Sequence, residues 1–562
     1  MSRPTAPRGL AGAWRSWAFA AILLALGGFF AWDHVCWVRE DNLPELDGDS
    51  VLHSGVMAFG WSALRNGWNR PIVLNISTYP PVTHWAAWSA FRWFGSSVTV
   101  MRESQALFAG ILAIGSGLLV GRVSGRMAGL AAAAACFTFP TLWWQRTVVM
   151  LALSATAFLT LAYALLPVPE EPGRLRRALL GGGAMALASL SHTSALYWLV
   201  ATFLAQLAGA AWGLLRKREG ARLHLLDLAV YYTVPAVLGG AWYAASREHL
   251  LSVFKHVHAT PSRVWTWADL LVFLGWIRDS FLLAPAAWAC LAGLLCLPVL
   301  WRRNGLLAPL TAGAAGGFFG VVSYPDVHAR LFLPLVPFLL VLMTLPLAAL
   351  RLPGPLPGPR RWVGRALALG VVLAGLSFSA SWRWARSGED TVDLHDDGAL
   401  YLSRLERDRA LPATLFTRLP RRWRSHAPLP HHGVWPLEAI LTGLAEELGL
   451  KSQSRPLEVR ARRGAPVLLT LEPHLRGEMV AVELAARGYP VPNVPTGRLD
   501  TPGSECERGR CFALYSRADG AGGPEVEVLR RWPVEFGVGQ ASTLVLARSA
   551  TSLEALVKAA GR

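Results

Sequence analysis

Long apolar runs, each closed by a short polar or basic segment, fill the chain from Trp17 to about Ala380. Beyond Trp382 the pattern turns polar, with short apolar stretches. A helix needs about 20 apolar residues to cross a bilayer, fewer where its end is buried in protein. The runs place spans near Trp17–Trp32, Gln105–Val120, Met127–Phe139, Val148–Leu166, Ala178–Leu190, Ser194–Leu215, Leu225–Ala245, Phe281–Leu300, Leu306–Val322, Leu331–Leu350 and Val363–Ala380. The expected fold is a polytopic α-helical membrane protein with about 11 transmembrane helices. These occupy residues 1–382, and a soluble α/β domain occupies 383–562.

In the polar region, Val467–Leu471, Phe512–Tyr515 and Thr543–Ala547 read as strands. Glu478–Arg487 reads as a helix stopped by Gly488, and Ser552–Ala560 as a last helix. Strands alternating with helices predict the small α/β domain. It carries no Gly-rich phosphate loop, and the chain shows no internal repeat.

Composition sharpens this picture. Of 562 residues, 53% are hydrophobic and 16% charged, against roughly a quarter charged in soluble proteins. The net charge of +17 would suit nucleic acid. Its distribution argues against that: the arginines sit in clusters between apolar runs rather than along one face. The clusters are Arg122/Arg126, Arg174–Arg177, Arg216–Arg222, Arg302–Arg303 and Arg360–Arg365. That is the positive-inside pattern of cytoplasmic loops. Arg3, Arg8 and Arg15 precede the first run, and no small-x-small cleavage site follows it. The first run is therefore read as an uncleaved span with its N-terminus in the cytoplasm. With that start, every basic cluster falls inside. Asp33–Ser104, Pro140–Thr147, Ser191–Thr193, Ser246–Ser280, Ser323–Arg330 and everything after Ser381 fall outside. The Arg-, Ala- and Trp-rich composition suggests a high-GC bacterium, its inner (plasma) membrane, and a periplasmic C-terminal domain.

Six cysteines occur. Cys36, Cys136, Cys290 and Cys296 lie in or beside apolar runs, as small hydrophobes. Cys506 and Cys511 flank Glu-Arg-Gly-Arg, leaving open a disulfide closing a short loop or two free thiols. No Cys/His metal spacing is present.

Candidate chemistry gathers on the outer segments. The first holds Glu40, Asp41, Glu45, Asp47 and Asp49, then two stretches with helical spacing, Val51–Leu64 and Val82–Phe94. Trp85, Trp88, Phe91 and Trp93 with Arg92 suit the headgroup boundary, so both stretches are expected to lie along the membrane surface. Ser246–Trp276 has a similar aromatic and basic mix. Asp47 and Asp49 abut the first helix, and His53 follows Asp49 by one turn on the same face. Tandem prolines in Tyr79-Pro80-Pro81-Val82-Thr83-His84 fix the entry of the second helix. A late loop carries Tyr324, Asp326, His328 and Arg330 before a proline-containing span. Plainer readings exist for each: a solvated acidic loop, a rigid turn, and an Arg anchored at the headgroups.

In this order the features resemble the GT-C superfamily of integral membrane glycosyltransferases. The nearer branch holds the protein O-mannosyltransferases and the lipid A aminoarabinose transferase. The resemblance covers Trp17 to about Ala380 and rests on the order of the motifs. It implies that Asp49, or else Asp47, is the catalytic base; here Ser50 stands where a second acidic residue is common. Tyr79, Pro80, Pro81 and His84 match the Pro-Pro motif, with His53 in the later position of the first motif. Arg330, Phe332 and Pro334 match the late motif, with Phe where Tyr is common.

The implied reaction is inverting. A polyprenyl-phosphate sugar presents its phosphate at the outer interface, and an acceptor hydroxyl on a glycolipid, polysaccharide or protein displaces it. Candidate cations and donors for the phosphate and sugar are Arg146, His192, Lys255, His256, His258, Arg263, Tyr324, His328 and Arg330. No cofactor is implied. An acidic loop offers oxygen ligands for a divalent metal, but the nearer relatives need none, and none is expected. The rival readings are a transporter or lipid flippase, a polysaccharide polymerase or ligase, and a non-enzymatic envelope polysaccharide assembly protein. Transport would place charges near the membrane midplane, where these spans have almost none.

Overall fold

A computed structural model of the chain describes residues 10–40, 48–65, 79–136, 142, 149–168, 174–217, 220–247, 251, 274, 284–301, 304–323, 329–349, 363, 366, 435–453, 465–471, 477–494, 510–517, 526–536, 540–549 and 555–557. The described parts of the apolar runs are helical, as they must be where no water is present to satisfy the backbone. In chain order come α1 (Leu10–Glu40), α2 (Gly48–Arg65), α3 (Val82–Phe94), α4 (Val98–Ser104), α5 (Ala106–Ser124) and α6 (Arg126–Ala135). Then follow α7 (Leu151–Ala164), α8 (Arg174–Ser189), α9 (Ala195–Leu215), α10 (Ala221–Ala245), α11 (Ala284–Trp301) and α12 (Leu307–Val322). A 3-10 segment, Ala329–Leu335, leads into α13 (Val336–Ala349).

Among the described residues, five stretches are long and apolar enough to cross a membrane: Ser16–Cys36, Val98–Ser124, Ala195–Leu215, Ala221–Ala245 and Leu331–Ala349. Leu151–Ala164, Ala289–Trp301 and Leu307–Val322 are shorter apolar helices. The protein is thus a multi-pass membrane protein. The expected count of about 11 is only partly matched. Met127–Phe139 became α6, which has 10 residues, and the run at Val363–Ala380 lies outside the described residues apart from Val363 and Ala366.

Close backbone approach joins the helices. A methyl group added at Gly129 would meet the carbonyl of Gly117, and one at Gly293 the carbonyl of Leu342. Small residues of this kind are what let helices pack without a hydrophobic drive from lipid. Tyr163 Oη lies 3.0 Å from Thr202 Oγ1, and Tyr231 Oη donates to the Ala162 carbonyl at 3.1 Å.

The two ends of the bundle differ. At one, Arg122 donates to the Ala164 and Leu166 carbonyls at 2.6 and 3.1 Å, Arg126 reaches Ser16 Oγ at 2.7 Å, and Arg174 pairs with Asp227 at 3.1 Å. The Arg122 contacts satisfy carbonyls at the end of α7 that lack intrahelical donors. At the other end, His34 Nε2 lies 2.7 Å from the Arg102 carbonyl, and Tyr243 Oη donates to the Ser189 carbonyl at 2.9 Å.

A C-terminal unit holds α14 (Leu437–Glu447), β1 (Val467–Thr470), α15 (Gly477–Ala486), β2 (Cys511–Arg517), β3 (Glu527–Phe536) and β4 (Gln540–Ser549). The sheet order is β1-β2-β4-β3, with β1 parallel to β2 and the other pairs antiparallel. Side chains alternate between its faces. Leu468, Phe512, Leu514, Leu544 and Leu546 pack under α14 and α15, while Val467, Leu469, Ala513, Tyr515, Val545 and Ala547 form a second core with Leu556.

The strands and the helix stopped by Gly488 (φ 86°) fall where the sequence placed them. Of the expected last helix, only 555–557 are described. Helix α14 and strand β3 were not foreseen. β3 is an edge strand carrying Arg530, Arg531 and Pro533, with an irregularity between Val528 and Arg530. Charges, Pro and bulges are devices that protect an edge, and they also hide it from pattern reading. Cys511 is disulfide-bonded, whereas Cys36, Cys136, Cys290 and Cys296 are free; Cys506 lies outside the described residues.

Candidate functional site

The helix α2 begins one residue before Asp49, so the expected acidic position lies in its first turn. Carboxylates are favoured there by the helix dipole. One turn on, His53 is buried, 4% exposed. Its ring meets Tyr79 edge-on at 4.6 Å and lies 5.9 Å from the ring of His84. The Pro-Pro turn does what its chemistry requires: Pro81 is the N-cap of α3, and Pro80 and Pro81 are both buried.

Helix α3 is pinned to the bundle at its start. The Val82 N–H donates to the Leu190 carbonyl at 3.0 Å, and Thr83 Oγ1 lies 2.6 Å from Ser154 Oγ. Leu190 opens the turn that holds His192, so this turn is brought beside Pro81–His84. His192 Nδ1 accepts the Ser194 N–H at 3.1 Å. Its other nitrogen is left to carry the proton.

His84 is 2% exposed, and its Nε2 has no hydrogen-bond partner among the described residues. Burial pushes its pKa down to about 4, so it is neutral near pH 7. It can donate or accept one hydrogen bond, but it is not a cation for a phosphate.

The aromatic stripe of α3 divides. Trp88 and Phe91 are not at a lipid boundary: they are buried in a core shared with α2, α4 and α15. Trp88 Nε1 donates to the Met57 carbonyl at 2.9 Å, tying α3 to α2. Trp85, Trp93 and Phe94 remain exposed.

The site is therefore assembled from the first turns of α2, the segment 79–84 and the His192 turn. Sequence reasoning missed Thr83 and Ser154, and it missed the buried polar group Asp33, His34, Arg102 and Gln105 at the same end. Thr83 and Ser154 are single hydroxyls among apolar residues, and Asp33-His34 and Arg102–Gln105 are short polar runs at helix ends, a signal that gained meaning only once α1, α4 and α5 met. Arg330 is the second residue of the 3-10 segment, two before the buried Phe332, and its side chain lies outside the description. The side chain of Asp49 does too. Asp47, Arg146, Lys255, His256, His258, Arg263, Tyr324 and His328 lie wholly outside the described residues. Among the described residues, no group of three or more His, Cys, Asp or Glu could hold a metal ion.

No protein-family model matches the chain, and no curated protein does. Solved structures do. ArnT from Cupriavidus metallidurans, in a crystal structure bound to undecaprenyl phosphate, is similar with a TM-score of 0.48 at 16% identity, over 96% of this chain and 98% of that one. Its apo state gives 0.49 at 16%, over 95% and 98%. The archaeal oligosaccharyltransferase AglB from Archaeoglobus fulgidus, in complex with an inhibitory peptide and a dolichol-phosphate, gives 0.43 at 12%, over 85% of this chain and 65% of that one.

Proposed function

We propose that this chain is a GT-C-type glycosyltransferase that moves a sugar from a polyprenyl-phosphate donor to an acceptor hydroxyl at the outer face of a bacterial plasma membrane. The observation that carries this reading is a convergence. Helix α2 with Asp49 and His53, the Tyr79–His84 turn and the His192 turn meet at one end of the bundle. Arg122, Arg126 and Arg174 gather at the opposite end. The positive-inside rule assigns that basic end to the cytoplasm. The polar site then faces outward, with residues 383–562 as a periplasmic domain and residues 1–382 as the membrane-embedded domain.

Asp49 acts as base. It takes the proton of the acceptor hydroxyl as that oxygen bonds to the anomeric carbon, and the bond from that carbon to the phosphate oxygen breaks. Help of this kind is worth about 10²–10⁴-fold. A single displacement inverts the anomeric configuration. The departing polyprenyl phosphate gains charge, which fixed cations stabilise. A neutral His84 cannot supply that charge, which leaves it to the arginines and lysine of the outer segments, Arg330 first, whose planar fork suits phosphate oxygens. His53, Tyr79, His84 and His192 border the sugar. The acceptor is a glycolipid, a polysaccharide or a protein.

The test is transfer from a panel of radiolabelled polyprenyl-phosphate sugars, comparing wild type with Asp49→Asn and Asp47→Asn. The proposal expects Asp49→Asn to lose about 10²–10⁴-fold in rate, with Asp47→Asn near wild type and both variants inserted normally. Transfer unchanged in both would remove the catalytic assignment.

A further inference from the structure

We infer that the C-terminal unit is a positioning element of this site and that Glu483 on α15 is its positioning residue, an inference that rests on the transferase reading. Helix α2 packs first against α15, and after that against α3 and α4. Met479, Val482, Ala485 and Ala486 of α15 share one core with Met57 and Ala58 of α2, Trp88 and Phe91 of α3, and Val98, Val100 and Met101 of α4. The helix that bears Asp49 is thus held by a segment more than 400 positions later in the chain.

Apolar packing alone would let the two surfaces slide. Two hydrogen bonds cross the seam and fix their register, and an ion pair behind it anchors one of them. Glu483 is 1% exposed, and its Oε2 accepts the N–H of Val98 at 3.3 Å. Val98 is the first residue of α4, where the N–H has no intrahelical acceptor and a negative charge is favoured. Ser96 Oγ donates to the Ala486 carbonyl at 2.5 Å. Arg487 pairs with Glu483 and, through Nε and Nη2 at 3.1 and 2.9 Å, with Glu438 of α14. Burial works against the charge on Arg487, but Glu483 and Glu438 outweigh it and raise its pKa. Glu483 therefore joins three helices: α4 through Val98, α15 through its own backbone, and α14 through Arg487.

A buried carboxylate costs several kcal/mol unless it is paired and hydrogen-bonded, and well-packed apolar residues often stabilise as well or better. Its return here is orientation. With Glu483 in place, α15 has one seat on α4, and α2 has one seat on α15. Asp49 and His53 are set by that seat. No contact between Glu483 and substrate is involved.

The test compares Glu483→Ala, Glu483→Gln and Ser96→Ala in the full-length protein, using the donor that the wild type accepts. Each is read by transfer kinetics and by amide hydrogen exchange. For Glu483→Ala, kcat is expected to fall about tenfold, as misplacement of a reacting group does, with the donor KM within about twofold. Exchange in residues 48–65 is expected to rise about tenfold, as local opening becomes easier, while α9 and α10 keep their protection. Glu483→Gln keeps an acceptor for Val98 and is expected to recover most of kcat. Ser96→Ala, a gentler change at the same seam, is expected to shift both readouts in the same direction by about twofold. Unchanged kcat in Glu483→Ala, a change confined to KM, or equal loss in the Ala and Gln variants would overturn the positioning role while leaving the transferase reading intact. Absence of transfer by the wild type from any donor would overturn both.

Discussion

Helices α2 and α3 face each other across His53, Tyr79 and His84, yet different regions of the chain hold them. The start of α3 is fastened to the membrane bundle by two hydrogen bonds, Val82 to Leu190 and Thr83 to Ser154. The main seat of α2 is α15 of the C-terminal unit, and its bond to α3 runs through Trp88 and the Met57 carbonyl. One wall of the candidate site is thus set by the bundle and the other by the C-terminal unit. Such an arrangement lets one face of a site be tuned, or displaced, without disturbing the helices that fix the other.

The two helices are coupled most strongly through Trp88. Trp88→Ala removes the indole from the shared core and the donor from the Met57 carbonyl. A loss of about 3–5 kcal/mol is expected, read as a lower unfolding temperature in detergent together with faster exchange in both α2 and α3. An effect confined to α3 would mean that the two helices are not coupled through this ring.

A smaller effect, specific to pH, is expected at His84. Its folded pKa of about 4 lies below the ordinary value of 6.5. The sign follows from that order: the stabilising contribution is complete above about pH 6.5 and is lost as pH falls toward 4. The depression corresponds to about 3 kcal/mol at most. His84→Gln should flatten the stability profile over that window; a profile identical to wild type would contradict the buried neutral imidazole.

The smallest effect sharpens the contrast. Thr83→Val removes the contact with Ser154, whose hydroxyl still donates to the Leu151 carbonyl at 2.8 Å. About 1 kcal/mol should be lost, with exchange rising at the start of α3 and α2 unchanged. Loosening of α2 by the same substitution would show that both walls hang on the bundle.

Much of this was legible in the sequence, for reasons that the same residues explain. Pro80 and Pro81 announced the start of α3 because proline fixes the entry to a helix, and the expected Val82–Phe94 is the observed helix. The spacing of Val51–Leu64 announced α2, which extends over Gly48–Arg65. What periodicity cannot carry is partnership. Trp88 and Phe91 looked like residues for a lipid boundary because the core that buries them is built from Met57 and Trp61 of α2 and completed by Met479 and Val482, far along the chain. Helix α4 was missed because seven residues make too short a pattern. Glu483 went unnoticed because an acid midway along a largely apolar helix has no meaning until the N-terminus of α4 is beside it.

The stereochemistry and stoichiometry of one turnover decide whether the chain is an inverting transferase fed by a lipid-linked donor. With a polyprenyl-phosphate sugar of known anomeric configuration, the expected outcome is a product of inverted configuration and one polyprenyl phosphate released per sugar transferred. A product of retained configuration, or transfer without release of the lipid phosphate, would contradict it.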